Sequence, residues 1–233
     1  MNTTGSEKEK ILRIGGIHAA LGSAAPLQKA IQKAIPNAEM AHFVNEEMLH
    51  YVNRNGGVDE KAMRMFARLV FLAEEAGVDA IVISCNVFAP RVDDVRPFVS
   101  VPILTVDSAM QEHAAQIGGL IGVLGTNYSS VPSCSGGILR AAAALGLPEP
   151  SFADGTVAEA AQYLVNGDAE TFDRMLTQKA LELAAKDCSA IVLAQVTMAR
   201  AKPALEAAGI TLPILTSPDE CAARLKQMLE KGE

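Results

Sequence analysis

The chain of 233 residues is long enough to bury one sizeable core or two small ones, and 49% of it is hydrophobic. A net charge of −7, no tryptophan, three tyrosines and seven phenylalanines leave neither the basic face nor the stacking platforms that nucleic-acid or anionic-membrane binding needs. No segment reaches the roughly 18 to 20 apolar residues of a membrane span, and the four cysteines, 85, 134, 188 and 221, show no C-x-x-C spacing, which argues against a disulfide framework and a zinc site.

Residues 1–10, "MNTTGSEKEK", read as a flexible polar tail without a signal or transit peptide, which fits a cytoplasmic protein with free thiols. From residue 11 onward, apolar runs alternate with longer amphipathic stretches, the pattern of βα units on a mostly parallel sheet. The expected strands are 11–17, 38–44, 78–84, 101–106, 120–126, 189–195 and 212–217. After the first strand comes "GGIHAALGS" (15–23), where Gly16 permits close backbone approach and His18 is a candidate donor to an anion. The glycines do not spell G-x-G-x-x-G, so a dinucleotide site has little support. His42, His50 and His113 show no partner at an informative spacing.

A helix is predicted over 59–76, with acidic residues first, apolar Met63, Phe66, Val70 and Ala73 on one face, and Gly77 as the stop. The next strand ends in "SCN". Cys85 there is either a small core hydrophobe or a reactive thiol. Pro90 suits the first turn of a short helix whose positive end favours the thiolate. The strand at 120–126 runs into "GTNYSS" (125–130), in which Thr126, Asn127 and Tyr128 are candidates for holding a carboxylate. Cys134 lies near a helix start and is a candidate border of the same cleft. A second long helix is predicted over 169–186, followed by the strand "SAIVLAQ"; Cys188 and Cys221 read as packing residues. P-loop, G-x-S-x-G, H-E-x-x-H and EF-hand patterns are absent.

The two halves resemble each other. "DAIVISCN" (79–86) falls on "SAIVLAQV" (189–196) at a spacing of 110, and "VPILT" (101–105) falls on "LPILT" (212–216) at 111. The same spacing of 110 sets "RIGG" (13–16) on "VLGT" (123–126). The expected architecture is therefore two similar, pseudo-symmetric α/β lobes, 11–117 and 118–233, each a mostly parallel sheet flanked by helices, with ligand bound between the carboxyl ends of their strands. The repeat pairs Cys85 with Gln195.

These features together resemble the aspartate/glutamate racemase superfamily, with its hydantoin racemase, maleate isomerase and arylmalonate decarboxylase branches. The residues that carry the resemblance are "SCN", "GVLGTN" and "IVLAQVTMA". The resemblance implies cofactor-independent chemistry at the α-carbon of a small carboxylic acid, an amino acid or a substituted dicarboxylate, with no metal and in a homodimer. It places Cys85 and Gln195 as the catalytic pair, and Gly16, His18, Asn86, Val87, Thr126, Asn127, Tyr128, Val196 and Thr197 around the substrate. Gly16, Ile17 and His18 occupy the first-strand loop, where many racemases carry an Asp or Ser instead. Gln195 occupies the place of a second catalytic cysteine, and glutamine has no accessible pKa for proton transfer. A single-thiol decarboxylase or lyase of a malonate-like acid, and a carboxylate-binding protein without turnover, are the alternatives.

Overall fold

Short runs of aliphatic and β-branched residues make eight strands among the described residues, 11–231, of the computed structural model. The first sheet holds β1 (Leu12–His18), β2 (Ala38–Val44), β3 (Ala80–Ile83) and β4 (Ile103–Thr105) in the order β2-β1-β3-β4. The second holds β5 (Leu120–Gly125), β6 (Ser151–Thr156), β7 (Ala190–Leu193) and β8 (Ile214–Thr216) in the order β6-β5-β7-β8. All pairings are parallel. The central β3 and β7 are buried at every position, which is why they read as unbroken apolar runs. The predicted tail, residues 1–10, lies outside the described residues.

The strand β6 had no counterpart among the sequence expectations. It is an edge strand of sequence "SFADGT", mostly half-buried or exposed, with a charge and a glycine where β-formers are expected.

Pairing registers correct one part of the repeat. Ile14 pairs with Ala80 as Ile121 pairs with Ala190, so β1 and β5 correspond at a spacing of 107, not the 110 read from "RIGG" and "VLGT". His18 is thus the counterpart of Gly125, and Ala19 of Thr126. The other two matches hold: β3 starts at Ala80 and β7 at Ala190, while Ile81 pairs with Ile103 as Ile191 pairs with Ile214.

Helices cover both faces of each sheet. In the first lobe α1 (Ala24–Ala34) packs on one face, and α2 (Glu46–Asn55) with α3 (Glu60–Glu75) covers the other. Asp59 caps α3 by accepting from Ala62 N–H at 2.9 Å, and Ala62, Phe66, Val70 and Ala73 form its buried stripe. Phe66 stacks on Phe88 with centroids 5.1 Å apart, fixing the segment that follows Cys85. In the second lobe α5 (Ser130–Leu145) and α7 (Ala169–Ala184) take the corresponding faces, with the short α6 (Ala160–Val165) and α8 (Lys202–Ala207) beside α7.

The lobes exchange their last helices. Met110, Ala114 and Ala115 of α4 (Ser108–Ile117) pack with Ile121, Val123, Ala190 and Val192 of the second sheet. Cys221, Ala222 and Leu225 of α9 (Ser217–Lys231) pack with Ile14, Ile31, Ala80 and Val82 of the first lobe. His113 and Glu220, 3.0 Å apart, and the pair Arg224 and Glu112 tie α4 to α9. Each lobe is therefore completed by the other, and the carboxyl ends of both sheets are held around one cleft. No described helix is long and apolar enough to cross a membrane. No group of three or more His, Cys, Asp or Glu among the described residues is placed to hold a metal ion.

Candidate active site

The cleft between the lobes holds a cavity of about 420 Å³ lined by Leu49, Ser84, Asn86, Val87 and Asp107 from the first lobe and by Asn127, Ser129, Ser130, Ser133 and Ala194 to Thr197 from the second. A smaller cavity of about 220 Å³ adjoins it, sharing Asn86, Asp107, Ser133 and Ala194 and adding Thr105, Gln111, Cys134 and Arg140. Strand-end loops from both lobes thus supply the lining, as the topology requires.

Cys85 follows β3, between Ser84 on one side and Asn86 and Val87 on the other, all of which line the larger cavity. The thiol itself is half-buried and packs against the first-lobe core. Burial pushes its pKa up, with a small further rise from Asp107; the backbone N–H groups of Val87 and Phe88 pull it down and are outweighed. The expectation that a helix end favours the thiolate is overturned for the resting protein. The segment after Cys85 is a short 3-10 turn, Ala89–Asp94, and desolvation of a sulfur anion dominates its weak field.

Gln195 follows β7 and is held in one orientation. Its Oε1 accepts from the Thr126 backbone N–H at 2.8 Å and from the Thr126 hydroxyl at 2.9 Å. A backbone N–H can only donate, so the oxygen must point there and the amide NH₂ is the free end of the group. Thr126 is buried and serves as the anchor of Gln195. Asn127 lines the cavity, but its Oδ1 accepts from the Ser129 N–H, the Ser129 hydroxyl and the Ser130 N–H, which shapes the entry to α5. Tyr128 is 82% exposed and outside the cavity lining.

His18 is fully buried rather than displayed in the cavity. Its Nδ1 lies 2.8 Å from Ser23 Oγ and 2.7 Å from Ser84 Oγ, and its Nε2 lies 2.9 Å from His42 Nδ1. His42 continues to Gln28 Oε1 at 3.1 Å, so a histidine without a partner in sequence has two in space. Burial, and then repulsion from His42, lower the His18 pKa to about 4, so the ring is neutral and both its nitrogens are occupied. Of this network only Ser84 reaches the cavity lining. Gly16 pairs with His42 in the sheet, and a Cβ at Gly16 would stand 2.6 Å from His18 Nε2. The glycine leaves room for the histidine pair instead of a ligand.

The residue that sequence reasoning missed is Asp107, just beyond β4. It is 9% exposed, lines both cavities, and burial raises its pKa to about 6 despite a nearby Ser217 hydroxyl. Cys134 is buried at the edge of the smaller cavity with its thiol pushed up to about 12, and Cys188 and Cys221 are buried packing residues.

The sequence matches the Asp/Glu/hydantoin racemase family over residues 20–225, nearly the whole chain. The chain belongs to that family. No curated protein matches it at the sequence level. Among solved structures, the racemase fold is shared with a glutamate racemase isoform of Bacillus anthracis at a TM-score of 0.72 and 20% identity, covering 96% of this chain and 84% of that one. A glutamate racemase from Thermus thermophilus, in complex with β-chloro-D-alanine, gives 0.67 at 23% identity over 95% and 82% of the two chains. An allantoin racemase from Klebsiella pneumoniae gives 0.68 at 15% identity over 95% and 89%. The two-lobe fold of this family is thus the one expected from the repeat.

Proposed function

We propose that the protein is a cofactor-independent isomerase that moves a proton at the α-carbon of a small carboxylic acid, with Cys85 as the acid/base. Membership of the racemase family supports an isomerase. The observation that carries the role of Cys85 is its place at the end of β3, flanked by three residues of the cleft lining, with Gln195 on the opposite lobe.

In this reading Asn86, Thr197 and the hydroxyls around 129–133 hold the substrate carboxylate. The Cys85 sulfur, once its own proton has passed to solvent, takes the α-proton as the thiolate, and the electron pair left behind spreads into the carboxyl group. The Gln195 amide, aimed by Thr126, donates to the oxygen on which that charge grows. Because Gln195 cannot itself exchange a proton, return on the opposite face falls to a water held by Gln195 and Thr197, and the hydroxide it leaves takes the proton from Cys85 S–H, restoring water and the thiolate. His18, sealed behind Ser84, keeps that hydroxyl in place.

A second reading is favoured by the raised pKa of Cys85, which suits a proton donor. In a malonate-like acid the bond to one carboxyl breaks as carbon dioxide leaves. The electron pair stays on the α-carbon, the Cys85 S–H proton joins it, and water restores the thiol. Incubating a panel of chiral amino acids, malonates and maleate-like diacids in deuterated water, followed by NMR, separates the two. Deuterium entry with inversion supports the isomerase, and loss of a carboxyl supports the decarboxylase. Ligand-induced stabilisation without either reaction would overturn both in favour of binding alone.

A further inference from the structure

The bond between His18 and His42 restricts where their protons stand. A neutral imidazole donates from one ring nitrogen and accepts at the other. Across the 2.9 Å from His18 Nε2 to His42 Nδ1, two neutral arrangements are possible: both rings carry their proton on Nε2, or both carry it on Nδ1. Each arrangement has partners at both ends. With the protons on Nε2, His42 donates to Gln28 Oε1 at 3.1 Å, and His18 Nδ1 accepts from the Ser84 hydroxyl at 2.7 Å. With the protons on Nδ1, His18 donates to Ser84 Oγ, and Gln28 presents its amide NH₂ to His42 Nε2. The Ser84 hydroxyl then donates to the Ile17 carbonyl at 3.1 Å, which already accepts from the Ser84 backbone N–H. Ser23, the other hydroxyl at Nδ1, donates to the Ala20 carbonyl in either case.

This chain runs from the cleft to the outside. Ser84 lines the larger cavity, whereas Ser23 does not. His42 lies on β2, the edge strand of the first sheet, and both it and Gln28 are half-buried, within reach of water. Passing from the first arrangement to the second moves one proton the whole way. Ser84 Oγ takes a proton that a cleft water relays from the Cys85 thiol, as its own proton goes to His18 Nδ1. The His18 Nε2 proton goes to His42 Nδ1, and the His42 Nε2 proton leaves to water at the sheet edge. One proton enters and one leaves, both rings end neutral, and the reverse shift restores the start. A charged ring is what this place resists. The bonds of the pair go to hydroxyls, to an amide and to each other, none to a carboxylate, and burial holds the His18 pKa at about 4. Hydrogen-bonded chains in a low dielectric polarise one another, which favours protons that move together.

We infer that Ser84, His18 and His42 form a proton wire between the interlobe cleft and the edge of the first sheet, with Ser84 as its cleft end and both rings neutral throughout. The use of the wire rests on the proposed function, in which Cys85 first loses its proton or, in the decarboxylase reading, regains one at each turnover. A ligand in the cleft displaces the water around Cys85, and the wire reaches Ser84 from behind it. His18 and His42 act through Ser84 and are positioning residues.

The test is nitrogen-15 NMR at pH 7 on the whole protein labelled at histidine, reading the tautomers and the rate at which ring N–H protons exchange with water. Single substitutions assign the four histidines. Both rings are expected to be neutral and to share one tautomer. The His18 ring proton, though fully buried, is expected to exchange about 10-fold or more faster in wild type than in Ser84→Ala, which cuts the cleft end, or in His42→Phe, which keeps a ring but cuts the outer end; exchange there needs local opening. Opposite tautomers, a doubly protonated ring, or a His18 exchange rate that either substitution leaves unchanged would overturn the inference. Deuterium uptake at the α-carbon of the panel of acids, measured in parallel, keeps the two proposals apart. Exchange along the wire without uptake sinks only the role of Cys85; uptake without that exchange sinks only the wire.

Discussion

At the scale of single residues, the site is a set of side chains whose ordinary uses have been diverted. Thr126 at the end of β5 spends both its N–H and its hydroxyl on Gln195, which turns a flexible amide into a fixed donor. Thr126→Val keeps the backbone bond and the shape but removes the hydroxyl. Gln195 then gains freedom, and kcat should fall about 10-fold, with a smaller change in KM, because a misplaced donor costs more in the transition state than in binding. Unchanged steady-state kinetics in that variant would remove Gln195 from the mechanism. The matching places of Cys85 and Gln195, just beyond β3 and β7, were legible in the sequence because the repeat and the flanking motif both mark strand ends. Asp107 was not, because an aspartate ahead of a helix reads as a cap and only the folded chain shows the carboxyl turned away. The His18 and His42 pair was equally hidden: the two are brought together by the pairing of β1 with β2, and by the missing side chain at Gly16.

At the scale of elements, α3 and the turn after β3 position the thiol. Phe66 is fully buried and stacks on Phe88, three residues after Cys85. Phe66→Ala is expected to cost about 3 to 5 kcal/mol of stability, and to loosen the Cys85 loop so that activity falls further than the unfolded fraction explains. Urea unfolding beside a rate measured well below the transition checks both parts, and a loss under about 1 kcal/mol would contradict the packing argument. The central strands could be read from sequence because burial on both faces leaves a continuous apolar run. The edge strand β6 could not, since Ser151 and Asp154 face water at the sheet margin, where composition is weakly constrained. The exchange of α4 and α9 was also invisible, because an amphipathic pattern shows that a helix buries one face and not which sheet it buries it against.

At the scale of the whole molecule, the exchanged helices bind the lobes into one unit and set its response to acid. His18 and His42 both have pKa values held below 6.5 by burial, that of His18 at about 4. As pH falls below 6.5 the unfolded chain takes up protons that the native imidazoles refuse, so stability drops until His18 itself protonates near 4. Asp107 works the other way. Its folded pKa of about 6 lies above the unfolded 3.8, so the native state gains protons first and is favoured as pH falls through that interval. Asp107→Asn removes the opposing contribution. The variant should be more stable than wild type near neutral pH and should lose stability more steeply between about pH 6 and pH 4. Urea midpoints that run parallel for the two proteins across this range would show that burial does not hold the Asp107 carboxyl above its ordinary pKa.

The proposed chemistry turns on the Cys85 thiol just beyond β3. Its most direct test is the rate of deuterium incorporation at the α-carbon, in deuterated water, by wild type and by Cys85→Ala with the best substrate of the panel. The proposed function predicts exchange by wild type and a fall of about 10²-fold to 10⁴-fold in the variant, the usual share of a positioned acid/base, with the thermal unfolding midpoint little changed. Exchange by a folded Cys85→Ala at near the wild-type rate would contradict the account, and would move the chemistry away from Cys85.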